Sequence, residues 1–142
     1  MKIKINMVDK SVCVPDYQTD GAAAMDLYSA ESFLLRPGDR RIVSVGFAIE
    51  IPVGYVGEIT PRSGKAILHG LSIVNSPGLI DSDYRGLVRV ILINLGKSSV
   101  AINKNDRIAQ MMIRRVERAD LIQSDRLSDT KRGSGGFGST KA

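Results

Sequence analysis

In SPGLIDSDYRG, residues 76 to 86, the carboxylates of Asp81 and Asp83 stand two positions apart, Tyr84 and Arg85 follow, and Pro-Gly and Gly bracket the group. A carboxylate at a loop edge can orient and deprotonate a water molecule, and the same residue types also build an ordinary solvated hairpin tip. Three other stretches carry comparable polar equipment. GAAAMDLYSA (21 to 30) sets Asp26 among small residues that allow close backbone approach; read alone, it is equally a structural aspartate. PRSGKAILHG (61 to 70) gathers Arg62, Ser63 and the Gly64 N–H at an expected strand-to-helix junction, where free N–H groups favour an anion. NDRIAQM (105 to 111) places Gln110 in an otherwise apolar run, and a buried amide needs partners, from the fold or from a ligand. Cys13 and His69 are each the only residue of their type. An internal disulfide or cysteine zinc cluster is therefore excluded, and a thiol dyad, a histidine metal site and a serine triad would all compete for one imidazole.

The elements that must position these groups read mostly as strands. Val43, Val45, Phe47, Ile49 and Ile51 share one face of RRIVSVGFAIEI, with Ser44, Gly46, Ala48 and Glu50 on the other, which predicts one half-buried strand. LVRVILINL (87 to 95) is apolar on both faces apart from Arg89 and Asn94 and predicts a strand buried between layers; RIAQMMIRRV (107 to 116) predicts a third. Turn signals recur at PGD, PVG, SPG, LGKSS and NKND, and such spacing, roughly 8 to 12 residues, predicts an all-β sandwich, jelly roll or barrel. Only SGKAILHG, 63 to 70, is suited to a turn or two of helix.

A chain of 142 residues fits one domain with one core. No apolar run approaches ~18 residues, and MKIKINMV alternates Lys and Ile without the apolar stretch of a secretory signal, so a soluble, cytoplasmic protein is expected, or a nuclear one in a eukaryote, with no membrane partner. The formal charge of +5 is uneven: residues 1 to 71 carry eight acidic and eight basic side chains, residues 72 to 142 seven and twelve. An anionic partner suits that excess. With no Trp, scattered Phe and Tyr, and no zinc-finger or RNA-motif spacing, stable nucleic-acid binding is not expected, and a small polyphosphate uses the same charge.

Composition changes near residue 124. SDRLSDTKRGSGGFGSTKA has one Leu and one Phe as its only large apolar residues and contributes little to a core, which divides the chain into a β domain, 1–123, and a flexible arm, 124–142. Glycine-rich backbone can wrap N–H groups around phosphate oxygens, Arg132 can hold a phosphate, and Phe137 can stack on a base.

Taken together, A-A-M-D-L, P-R-S-G, G-L-I-D-S-D-Y-R-G, D-R-I-A-Q-M and R-G-S-G-G-F-G-S-T, in this order from Ala23 to the end of the chain, resemble the five motifs of the trimeric dUTP pyrophosphatase (dUTPase) family. The resemblance implies a jelly-roll-like β fold, a homotrimer with shared active sites, and Mg²⁺-assisted hydrolysis of dUTP to dUMP and pyrophosphate, which limits uracil in DNA and supplies dUMP for dTMP synthesis. It makes Asp81 the general base for the attacking water and Asp26 the carboxylate that reaches Mg²⁺ through coordinated water. Tyr84 would lie against the C2' face of the sugar, and Asn75 with the backbone of Gly78, Leu79 and Ile80 would pair with the uracil edge. Arg62, Ser63, Gly64 and Gln110 would contact the triphosphate. From a neighbouring subunit's arm, Phe137 would cover the uracil, and Arg132, Gly138, Ser139 and Thr140 would complete the substrate contacts. Asp83 and Arg85 read as hairpin and interface ion-pair residues.

Four positions depart from the family pattern: Ala24, Lys65, Asn105 and Lys141 stand where Gly, Leu, Gly and Gly are usual. Asn tolerates the positive φ that Gly would supply. Lys65 either adds a cation near the phosphates or points to solvent. The rival of the same fold, dCTP deaminase, usually carries Arg-Ser-Ser and Gly-Phe where this chain has Arg62-Ser63-Gly64 and Asp83-Tyr84. A basic nucleic-acid- or protein-binding module is the rival of another class.

Overall fold

The computed structural model describes residues 1–137. Its strands are β1 (Lys4–Met7), β2 (Met25–Tyr28), β3 (Phe33–Leu35), β4 (Arg40–Ser44), β5 (Phe47–Glu50), β6 (Tyr55–Thr60), β7 (Leu71–Ile73), β8 (Gly78–Ile80), β9 (Arg89–Asn94), β10 (Val100–Ile102) and β11 (Arg107–Arg115). One short helix, α1 (Ser63–His69), links β6 to β7. The fold is all-β, as the turn spacing predicts. No helix among the described residues is long and apolar enough to cross a membrane.

The strands pair antiparallel in four sheets: β2-β11-β6-β8, β4-β9-β7, β1-β5 and β3-β10. Alternating side chains from these sheets meet in one core, centred on Leu27, Val43, Phe47, Leu92, Ile102, Ile108 and Met111. Each such side chain, fully buried, contributes about 1.5–3 kcal/mol. Beyond β11, residues 117–134 are exposed and form no strand or helix.

Two strand expectations are corrected. The single strand over 43–51 is two, because Gly46 at φ +78 breaks it. Its N–H turns back to Ser44 Oγ at 3.1 Å, and a Cβ there would stand 2.9 Å from the Val12 side chain. β4 therefore pairs with β9 and β5 with β1, while Val43, Val45, Phe47, Ile49 and Ile51 all stay buried. The alternation survives because the kink re-aims the chain without inverting its face. The strand expected over 87–95 is the shorter β9, and one protomer buries only its Val90, Leu92 and Asn94 face, leaving Ile91 and Ile93 half-buried.

Candidate active site

The four-stranded sheet lines up Asp26, Gln110 and Thr60, from β2, β11 and β6, as cross-strand partners. A bulge makes this row: two steps along β11, Arg107 to Ala109, face one step along β2, Tyr28 to Leu27, and the next pair is Gln110 with Asp26. Gln110 Nε2 donates to Thr60 Oγ1 at 3.3 Å and to the Pro61 carbonyl at 3.1 Å. The sequence then turns at Pro61, which puts Arg62 over the same row. Its Nε reaches Asp26 Oδ1 at 3.0 Å, while Arg107 Nη1 reaches Oδ2 at 3.2 Å and Gln18 Oε1 at 2.8 Å. Asp26 is only 5% exposed, so its charge is held by two guanidinium groups in place of water. Two arginines thus converge on one carboxylate, with Asp16 joined to Arg107 through Gln18. A guanidinium has five donors, and Arg62 spends Nε on Asp26 and one Nη1 bond, 3.3 Å, on the Arg107 carbonyl.

Ser63 and Gly64 begin α1 directly beyond this cluster, and helix geometry leaves the first-turn N–H groups without intrahelical acceptors. A Cβ on Gly64 would meet nothing within 4 Å, so the protomer's own packing does not require glycine there. Lys65 is half-buried on the same turn. Sequence reasoning missed Thr60, Arg107 and Gln18. Arg107 lies within D-R-I-A-Q-M and Thr60 directly precedes P-R-S-G, but their inward aim depends on the bulge and on strand register.

The turn after β8 builds a second group. The Tyr84 N–H donates to the Asp81 carbonyl at 3.2 Å, closing a four-residue turn. Arg85 Nη1 clamps it by donating to the carbonyls of Ser82 at 2.8 Å and Tyr84 at 2.9 Å. Arg85 thus braces a turn, not the expected hairpin, because β8 pairs with β6 while β9 pairs with β4 and β7; neither Asp83 nor Arg85 forms an ion pair among the described residues. The Tyr84 hydroxyl donates to the Leu87 carbonyl at 3.0 Å. Asp81 is exposed and borders a groove of about 650 Å³ shared with Val56, Leu79, Ser82, Arg114 and Arg115. The Asn75 amide lies against Gly78 at the start of β8, 3.4 Å from where a Cβ would be. An apolar hollow of about 480 Å³, bordered by Ile3, Val14, Pro15, Met25 and Ile113, holds none of the expected site residues.

The two groups do not meet in one protomer. Ile80 pairs with Gly57, so Asp81 leaves the sheet near the start of β6, whereas Arg62 follows its end. At ~3.3 Å per residue the strand separates them by roughly 20 Å. Among its described residues the arm bonds to neither group: Arg132 Nε donates to the Gly135 carbonyl at 2.8 Å, and Phe137 is fully exposed. Gly138, Ser139 and Thr140 lie outside the described residues. No cluster of three His, Cys, Asp or Glu side chains suited to a metal forms among the described residues. One carboxylate already shared by two arginines does not fit an all-protein cage and leaves an ion to be held mainly by phosphates and water, which is ordinary magnesium behaviour.

The model of the dUTPase family matches residues 10–141 of this chain. The chain belongs to the dUTPase family. It is 48% identical to the deoxyuridine 5'-triphosphate nucleotidohydrolase of Nautilia profundicola over 99% of both chains. To that of Anaeromyxobacter sp. it is 52% identical, over 89% of this chain and 86% of the relative. Among solved structures, the dUTPase of Staphylococcus bacteriophage 80alpha, described with dUPNHPP, superposes with a TM-score of 0.92 at 27% identity, covering 99% of each chain. The fold shared with these dUTPases is jelly-roll-like, as the motif resemblance implies.

Proposed function

We propose that this protein hydrolyses dUTP to dUMP and pyrophosphate at a site assembled between copies of the chain in a homotrimer. The observation that carries the reading is the division of one complementary set of groups between the two ends of β6. Asp81 and Tyr84 share one turn at one end, and a cluster of Arg62, Arg107, Asp26 and Gln110 stands at the other. The relatives' names supply the reaction, and dUPNHPP is named as dUTP with an imido bridge in its phosphate chain.

Asp81 acts as general base. It accepts a proton from water as the water oxygen bonds to the α-phosphorus; the bond from that phosphorus to the bridging oxygen breaks, and pyrophosphate leaves with the electron pair. Tyr84 stands against C2' of the sugar, where a 2'-hydroxyl would clash. Asn75 and the backbone of Gly78, Leu79 and Ile80 pair with the uracil edge, and cytosine, with donor and acceptor exchanged, is mispaired. Arg62, Ser63, Gly64 and Gln110 of another copy hold the phosphates. Asp26 would hold Mg²⁺ by accepting hydrogen bonds from its bound waters, and the ion, when bound, neutralises phosphate charge. The body, 1–123, would be closed by the arm, 124–142, of a neighbouring copy, with Phe137 over the base and Arg132, Gly138, Ser139 and Thr140 on the phosphate side.

The test is pyrophosphate release from four nucleotides in the presence of Mg²⁺. Turnover of dUTP, with only feeble turnover of dTTP, dCTP and UTP, supports the reading. Ammonia release from dCTP overturns it in favour of a deaminase.

A further inference from the structure

A Cβ built on Gly86 would stand 2.5 Å from Tyr84 Oη, 2.6 Å from Cζ and 3.0 Å from Cε2. Non-bonded carbon and oxygen atoms do not approach so closely, so the ring tip occupies the space that any side chain at position 86 would need. Backbone conformation does not require this glycine, because Gly86 is absent from the positive-φ set of Gly38, Gly46, Gly54, Gly70 and Gly133. The requirement comes from the ring.

The same ring is held at both ends. Its hydroxyl donates to the Leu87 carbonyl at 3.0 Å, just beyond Gly86, and its backbone N–H donates to the Asp81 carbonyl at 3.2 Å. Tyr84 remains 42% exposed, so it is seated on its own turn while presenting surface outward. A methyl group at position 86 would press on the far end of a side chain that can swing outward, so the ring would yield before the sheet does.

We infer that Gly86 is a positioning residue for sugar selectivity: it is the seat that, with the Leu87 carbonyl, fixes the Tyr84 ring where it discriminates deoxyribose from ribose. The inference rests on the proposed role of Tyr84. A displaced ring fits the deoxy sugar worse in either direction, while UTP, which already clashes, has little left to lose. Gly86→Ala should therefore contract the ratio of kcat/KM for dUTP to that for UTP by about 10-fold or more, mainly through KM for dUTP. Tm should stay within about 4 °C of wild type.

The experiment measures both nucleotides with Mg²⁺ for wild type, Gly86→Ala, Tyr84→Ala and the double variant, with Tm for each. In the Tyr84→Ala background, adding Gly86→Ala should change either kcat/KM by less than about 2-fold, since the methyl then has no ring to displace. Tyr84→Phe, which keeps the ring and loses its bond to Leu87, should contract the ratio in the same direction. Gly86→Ala with an unchanged ratio, an equal loss with and without the Tyr84 ring, or failure of the variant to fold each overturns the inference. Wild type that releases no pyrophosphate from dUTP overturns the proposed function itself, and the inference with it.

Discussion

At the residue scale the account separates groups needed for the reaction from groups needed for the fold. Asp81 is exposed, and the turn it closes uses its backbone carbonyl. Asp81→Asn should lower kcat by about 10² to 10⁴ with Tm unchanged, checked by pyrophosphate release and thermal melting. Gly64 gives a sharper contrast, because its added methyl would meet nothing within 4 Å in the protomer. Gly64→Ala should stabilise α1 by up to about 1 kcal/mol yet reduce kcat/KM for dUTP, because the methyl enters space proposed for phosphate; unchanged kinetics would remove Gly64 from the site. Asp81, Arg62, Asp26 and Gln110 were legible in the sequence because polar residues at turns or within apolar runs need a reason. Thr60, Arg107 and Gln18 were not, because their partners are decided by cross-strand register and a bulge, which local pattern does not encode.

At the element scale, β6 acts as a spacer, with the Asp81 turn beside its start and the Arg62 junction beyond its end. The alternation of strands and the position of α1 were readable; the break at Gly46 was not, because the residue that forbids a side chain there, Val12, is distant in sequence. The turn before β11 shows a departure from the family made useful. Asn105 takes φ +68 and also ties down the amino-terminal loop, its Oδ1 accepting from the Cys13 N–H at 2.8 Å and its Nδ2 donating to the Ser11 carbonyl at 3.1 Å. Asn105→Gly keeps the dihedral and loses both bonds, for an expected loss of about 1–2 kcal/mol, and Asn105→Ala, which adds backbone strain, should melt lower still. The same loop holds Asp9, whose carboxyl is lowered from 3.8 to about 2 by its hydrogen bond from Ser11 and then by Lys104. A depressed carboxylate stabilises the fold above its unfolded value and loses that contribution as pH falls through its folded one. The Tm deficit of Asp9→Asn should thus be full above about pH 4 and vanish near pH 2.

At the scale of the whole molecule, the protomer leaves Leu34, Ile42, Val53, Ile67, Leu68, Leu79 and Leu95 exposed, as a chain with partner copies would. Assembly was expected only from the family motifs, since periodicity reports which face of a strand is apolar and not what covers it. Truncation at Ser134 should impair dUTP turnover and leave Tm unchanged; a fall in Tm would make the arm part of the folded body. The most direct test of the central claim is complementation between two inactive variants, Asp81→Asn and Arg62→Ala, unfolded together, refolded as an equimolar mixture, and assayed for pyrophosphate release from dUTP. If each site draws Asp81 from one copy and Arg62 from another, random trimers restore roughly one site in four, and the mixture regains activity that neither parent shows. A mixture as inactive as its parents, despite confirmed exchange of subunits, would contradict a site shared between copies.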